Sequence, residues 1–129
     1  MKFMCLFYFE PGAFDGVSEA EMTKLTDDTI VEDIELRRSG HLILGQPLQD
    51  PDTAVTIRGG RRGVSRTDGP FLETKEWLGG FTLIEARDME EAIALTEGSA
   101  LLKYASVEIR PTLEQTHSET GAGRPPVKV

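Results

Sequence analysis

Two side chains in this sequence are placed to move a proton. Asp68 directly follows the run Val64 to Thr67 and precedes Gly69-Pro70, where glycine permits unusual backbone angles and proline restricts them. Its carboxylate is therefore held at a turn, where it could take or give a proton or accept a hydrogen bond from a polar ligand. The competing use is to bond the amides of its own turn or to cap a short helix behind it. His41, one of two histidines, opens an apolar run, and a neutral imidazole near a carboxylate would be poised for proton transfer near neutrality. The competing use is a strand-end ring bonded to solvent. Asp68 and His41 are the candidate catalytic residues; His117 is assigned no role.

A second set of residues could bind rather than react. Tyr8, Tyr104, Ser106, Glu108 and Arg110 could share one sheet face and give an apolar-walled pocket with polar anchors. Arg110 suits a carboxylate, although an ion pair with Glu108, or one across a dimer, would also explain it. Arg58, Arg61, Arg62 and Arg66 gather in one stretch that could hold an anion, but Gly59, Gly60 and Gly63 among them read as an exposed hairpin tip. Glu73 and Lys75 read as solvated helix charges, and Phe71 and Trp77 as a core or interface plug.

Other chemistries lack their residues. Two histidines and one cysteine show no metal-ligand spacing, so no metal is expected. Gly59 to Gly63 lacks the lysine and hydroxyl residue of a phosphate loop, no dinucleotide fingerprint follows a strand, and no serine sits in a nucleophile elbow. No cofactor is expected. A net charge of -8 disfavours nucleic acid and anionic membranes as partners. Cys5 lies among apolar residues and reads as a small buried hydrophobe. Met1-Lys2 and Phe3 to Phe9 mimic the start of a signal peptide, but Glu10-Pro11 follows without a small-residue cleavage site, so a strand in a cytoplasmic protein is expected.

The elements that must position these groups follow from periodicity. With 129 residues, 39% hydrophobic and 28% charged, the chain fits one globular domain. Residues 2 to 9 are apolar on both alternating faces, as a central strand would be. Ser18 and Glu21 have capping-box spacing and open a helix to about Arg38, with Met22, Leu25, Thr29, Ile30 and Ile34 facing inward and Asp27, Asp28, Glu32 and Glu35 solvated. Strands are expected at His41 to Leu44 and Thr53 to Arg58, then a hairpin into Val64 to Thr67 and a short helix within 68 to 78. A further strand runs from Gly80 to Ala86. Asp88 and Glu91 then cap a helix through Leu102 that turns Met89, Ala92, Ile93 and Leu95 inward, and Tyr104 to Arg110 is the last strand. Residues 114 to 129 lack an apolar period and read as a mobile tail.

The stretch Thr67-Asp68-Gly69-Pro70-Phe71-Leu72-Glu73-Thr74-Lys75-Glu76-Trp77-Leu78-Gly79-Gly80-Phe81 resembles the signature of the DGPF-type, YCII-related proteins. Met1 to Tyr8, Gly45-Gln46-Pro47-Leu48 and Ser106 to Pro111 are similar to that family too. The resemblance implies a dimeric α/β-barrel of ferredoxin-like subunits. It also implies a link to extracytoplasmic-function sigma factors, which many DGPF-type proteins accompany. In the YCII branch a His and Asp pair in a cleft is suggested as an acid–base site; the first helix here contains no histidine to match it.

The expected fold is thus α+β, a ferredoxin-like split βαβ sandwich over residues 1–111 with two helices on one face of an antiparallel sheet, a hairpin insertion and a tail at 112–129. Two helices cover one face, yet the first strand is apolar on both, so a second copy is expected to cover the other and form a homodimer. The leading reading is a dimer that binds an unknown small molecule, with acid–base activity near Asp68. Its rival is a non-catalytic regulatory module associated with a sigma factor.

Overall fold

The computed structural model describes residues 1–72 and 75–126. Strand β1 (Lys2–Phe9) leads through a turn into helix α1 (Glu19–Arg38) and then strand β2 (Leu42–Pro47). A 3-10 turn at Pro51–Thr53 precedes the hairpin β3 (Val55–Gly60) and β4 (Gly63–Asp68), after which β5 (Trp77–Glu85), α2 (Met89–Thr96), a 3-10 turn (Ala100–Lys103) and β6 (Ala105–Pro111) complete the domain. The order strand, helix, strand, hairpin, strand, helix, strand matches the sequence pattern.

Both helices start where the sequence marks them. The Ser18 hydroxyl accepts from the Glu21 amide at 3.1 Å, and the Asp88 carboxylate accepts from the Glu91 amide at 2.9 Å, each satisfying a donor that the first helical turn leaves open. Gly40, at φ +84°, ends α1 in the left-handed region that glycine reaches without strain.

The main sheet is antiparallel, in the order β2-β5-β1-β6, with β1 in the middle; β3 and β4 form a separate two-stranded arm. Register decides which side chains share a face. Phe3, Cys5 and Phe7 of β1 are buried and join Leu42, Ile84, Ala86 and Ala92 in one core, against which Leu36 of α1 and Met89 and Leu95 of α2 pack. Both helices therefore lie on the odd-numbered face of β1. Cys5 is fully buried with its Sγ 3.7 Å from the Thr96 hydroxyl, as a small core residue.

Several boundaries and facings depart from the sequence reading. Helix α2 stops at Thr96 and the chain tightens into the 3-10 turn, because the Ser99 hydroxyl accepts from the Leu101 amide and starts a new cap. Ile93 is 36% exposed rather than inward. In α1, Ile30 and Ile34 are 53% and 45% exposed, while Glu32, expected to be solvated, turns inward. Its carboxylate accepts from the Ala100 amide at 2.8 Å and the Ser99 hydroxyl at 3.1 Å, which sets the rotation of the helix. The expected short helix within 68 to 78 is not formed by the described residues there, and Glu73 lies outside them. Past β6, the segment carries a small turn closed by the bridge of Thr116 with Gly123, and residues 127–129 lie outside the described part.

Candidate functional site

The face of the sheet opposite the helices carries three cross-strand rows. Leu44, Leu83, Met4 and Arg110 form one; Gln46, Phe81, Leu6 and Glu108 the next; and Leu78, Tyr8 and Ser106 the third. Residues alternate faces along a strand, so these are the side chains left when the odd face of β1 goes to the core. The result is an apolar centre with a polar row along β6, the edge strand. Met4, Leu6, Tyr8, Phe81 and Leu83 are half-buried, and they stand apart from the core cluster that the two helices of the described residues cover.

Four of the five expected binding residues meet on this face. Tyr8 pairs with Ser106, and Glu108 and Arg110 follow on the same side of β6. Arg110 is engaged along its own strand: its Nε donates to Glu108 Oε2 at 2.9 Å, and its Nη2 donates to the same oxygen. The in-strand pair thus accounts for Arg110, and the Tyr8 and Ser106 hydroxyls are the groups without a hydrogen-bond partner among the described residues. Tyr104 falls outside β6, closing the 3-10 turn. Its ring stacks on Phe14 at 5.4 Å, and Phe14 packs on Phe9 at 4.9 Å. Trp77, half-buried, lies 6.0 Å from Phe9 in the same aromatic group, so Trp77 packs within the chain whereas Phe71 is 57% exposed.

The two candidate catalytic residues do not meet. The His41 ring is fastened by Nδ1–H donating to the Glu85 carbonyl at 2.8 Å, and the His41 carbonyl accepts from the Glu85 amide at 2.7 Å. That is the start of β2 and the end of β5. Asp68 pairs with Val55 at the base of the arm, which springs from the other ends of the same two strands, after Pro47 and before Trp77. Strands rise about 3.3 Å per residue, so the length of β2 alone separates the two ends by about 17 Å. The sequence could not anticipate this, because both residues flank strands without stating which end of the sheet they reach.

Asp68 itself is exposed, and its carboxylate has no partner among the described residues. The turn is built without it: the Gly69 amide donates to the Ala54 carbonyl at 2.7 Å, and the Thr56 hydroxyl donates to the Gly69 carbonyl at 2.7 Å. Gly69 takes φ +105°, the angle its type permits. The four arginines lie on the exposed arm as a hairpin tip would place them, with Arg61 and Arg62 in the turn between Gly60 and Gly63. Arg58 donates to the Phe71 carbonyl at 3.0 Å and sits 4.4 Å above the Phe71 ring, which ties the arm to the segment behind it.

On the covered side, α1 brings a group that the sequence reading missed. Asp33 is half-buried against β2, and burial raises its pKa first, with the charge of Glu32 adding to the effect. Unlike Glu32, its carboxylate has no hydrogen-bond partner among the described residues. The signal was available in the spacing of Leu25, Glu32 and Leu36, which puts Glu32 on the stripe of two core leucines and Asp33 beside it.

An antiparallel four-stranded sheet in this order, with two helices on one face and an inserted hairpin, defines a ferredoxin-like α+β domain. The chain belongs to the YCII-related domain family, whose model matches residues 1–116 and so runs through β6. No curated protein matches it. No helix of the described residues is long and apolar enough to cross a membrane.

Proposed function

We propose that this chain is a small-molecule-binding protein that works as a homodimer, with the open sheet face closing on that of a second copy. One observation carries the reading: the uncovered face is apolar across β1 and β5 at its centre, with its polar groups along β6 and at Gln46 on the edge strand β2. A greasy surface of that extent in water calls for a cover, and an identical sheet supplies one of matching shape. Between two such faces the Tyr8 and Ser106 hydroxyls are the free polar anchors, and the Glu108–Arg110 pair borders them. Acid–base work would fall to Asp68, which stands on the arm at the end of the sheet nearer Tyr8 and has a free carboxylate.

Sedimentation velocity at micromolar concentration tests the assembly. The wild-type chain should run as a dimer, and Leu6→Asp, which puts a charge at the centre of the open face, should run as a monomer with unchanged far-UV circular dichroism. A wild-type monomer overturns the reading. Small aromatic carboxylates then probe the cleft, with shifts expected in the resonances of Tyr8 and Ser106. Copurification with a sigma factor, together with no such shifts, would instead favour a regulatory module.

A further inference from the structure

The helix-covered side of the sheet encloses a space that the proposed dimer cleft does not use. A cavity of about 390 Å³ opens between α1 and α2. Phe7 and Ile84 form its apolar floor, and Leu36 and Leu95 its apolar walls. That size falls within the range of small-ligand pockets.

Its polar groups are unevenly satisfied. The Thr96 hydroxyl donates to the Ala92 carbonyl, and the Glu32 carboxylate accepts from the Ser99 hydroxyl and the Ala100 amide. The Asp33 carboxylate and the Thr82 hydroxyl, which also line the cavity, have no partner among the described residues. The Asp33 carboxylate and the Thr82 methyl flank a gap above Gly45: a Cβ there would stand 3.4 Å from Asp33 Oδ2 and 3.1 Å from Thr82 Cγ2. Glycine at 45 thus keeps open the space between them.

The missing partner can be specified by charge and shape. No described lysine, arginine or histidine lines the cavity, and Glu32 and Glu35 add negative charge at its border. Among the described residues, no three acids, histidines or cysteines are grouped to hold a metal ion. A half-buried carboxylate in apolar surroundings is stabilised most by a cation that brings its own apolar surface. We propose that the cavity between α1 and α2 binds a small organic cation, a primary ammonium on a compact apolar body, with Asp33 accepting from the ammonium and the Thr82 methyl packing beside it. The apolar part of the ligand replaces water over Phe7, Ile84, Leu36 and Leu95. This site is separate from the dimer cleft and stands on the other side of the sheet.

Methyl and amide NMR of the full chain, titrated with benzylammonium and with benzyl alcohol as the neutral isostere, tests the proposal. The titrations run near neutral pH at physiological ionic strength, where a Debye length of about 8 Å screens diffuse attraction to an acidic protein. Benzylammonium should give saturable shifts at Ile84, Leu36, Leu95 and Thr82, and benzyl alcohol should bind about ten-fold or more weakly, as loss of a charged hydrogen bond implies. Asp33→Asn should weaken benzylammonium by a similar factor and leave benzyl alcohol unchanged. The wild-type comparison of the two probes needs no variant, so it decides even if a substitution perturbs folding. Equal affinity for the two probes, no saturable shift at the cavity methyls, or full benzylammonium affinity in Asp33→Asn overturns it. Shifts confined to Tyr8 and Ser106 also overturn it, while bearing on the dimer cleft alone.

Discussion

The two faces of the main sheet share the same strands and differ in what covers them. On the odd face of β1, Phe3 and Cys5 are fully buried under two helices; on the even face, one residue away, Met4 and Leu6 are only half-buried. Alternation makes this a controlled contrast, because backbone, pairing and sequence neighbourhood are held constant. It shows that an apolar strand residue reports on the fold of its own chain only when a helix of that chain lies above it. The rest of its burial waits for another body.

Truncation on either side of β1 gives the largest break in that contrast. Phe3→Ala should cost about 3–5 kcal/mol in urea unfolding, since it removes a fully buried ring from beneath the helices. Met4→Ala should cost about 1 kcal/mol or less at concentrations where the chain is monomeric. A matching loss at Met4 under those conditions would mean that the chain covers its own open face. A loss that grows with protein concentration would instead place the cover in a second copy.

At the arm end of the sheet the contrast turns on glycine. β5 bulges where Tyr8 pairs with Leu78 and Phe7 with Gly80, and Gly79, the extra residue, lies against the Phe9 ring. A Cβ at position 79 would fall inside that ring, so Gly79→Ala must push Phe9 away from Phe14 and Trp77. We expect a loss of about 1–3 kcal/mol and altered Trp77 fluorescence, whereas Gly98→Ala, with open space around it, should show neither.

Sequence conveyed the architecture more fully than the site. Element order, both N-caps, the Gly40 stop and the two-faced character of β1 were legible because each rests on local pattern or on a residue type with a single use. The rotation of α1 was not, since Ile30 and Ile34 make as good an apolar stripe as Leu25 and Leu36 until the Glu32 carboxylate reaches the Ser99 and Ala100 segment. That contact joins residues far apart in the chain, so the spacing of Leu25, Glu32 and Leu36 permits this rotation without selecting it over the Ile30 and Ile34 stripe. For the same reason the sequence left open whether Asp68 and His41 share a site: the chain order hides that the arm leaves from the far end of β2.

Glu32 and Asp33 carry the contrast down to two adjacent carboxylates. Glu32→Ala should cost about 1.5–3 kcal/mol, because the Ala100 amide and Ser99 hydroxyl lose a charged acceptor and α1 loses the contact that fixes its rotation. Lengthened hydrogen exchange protection at Ala100 in the variant would contradict this, since the prediction is that protection there falls.

Asp33→Asn should shift stability slightly, and in the opposite direction. Burial makes the folded chain hold the Asp33 proton more tightly than the unfolded chain does, so wild-type stability falls as pH rises from the ordinary carboxylate value through the raised one. Asparagine has no charge to desolvate. The variant should therefore equal wild type below that window and exceed it above, by a margin that the water still reaching the group keeps small. Paired urea titrations at acid and neutral pH measure the difference directly. A carboxylate whose removal stabilises the empty fold has no structural reason to be there, whereas a loss at neutral pH would mean that the protein's own donors satisfy Asp33 in solution and that the cavity has no need of a cation.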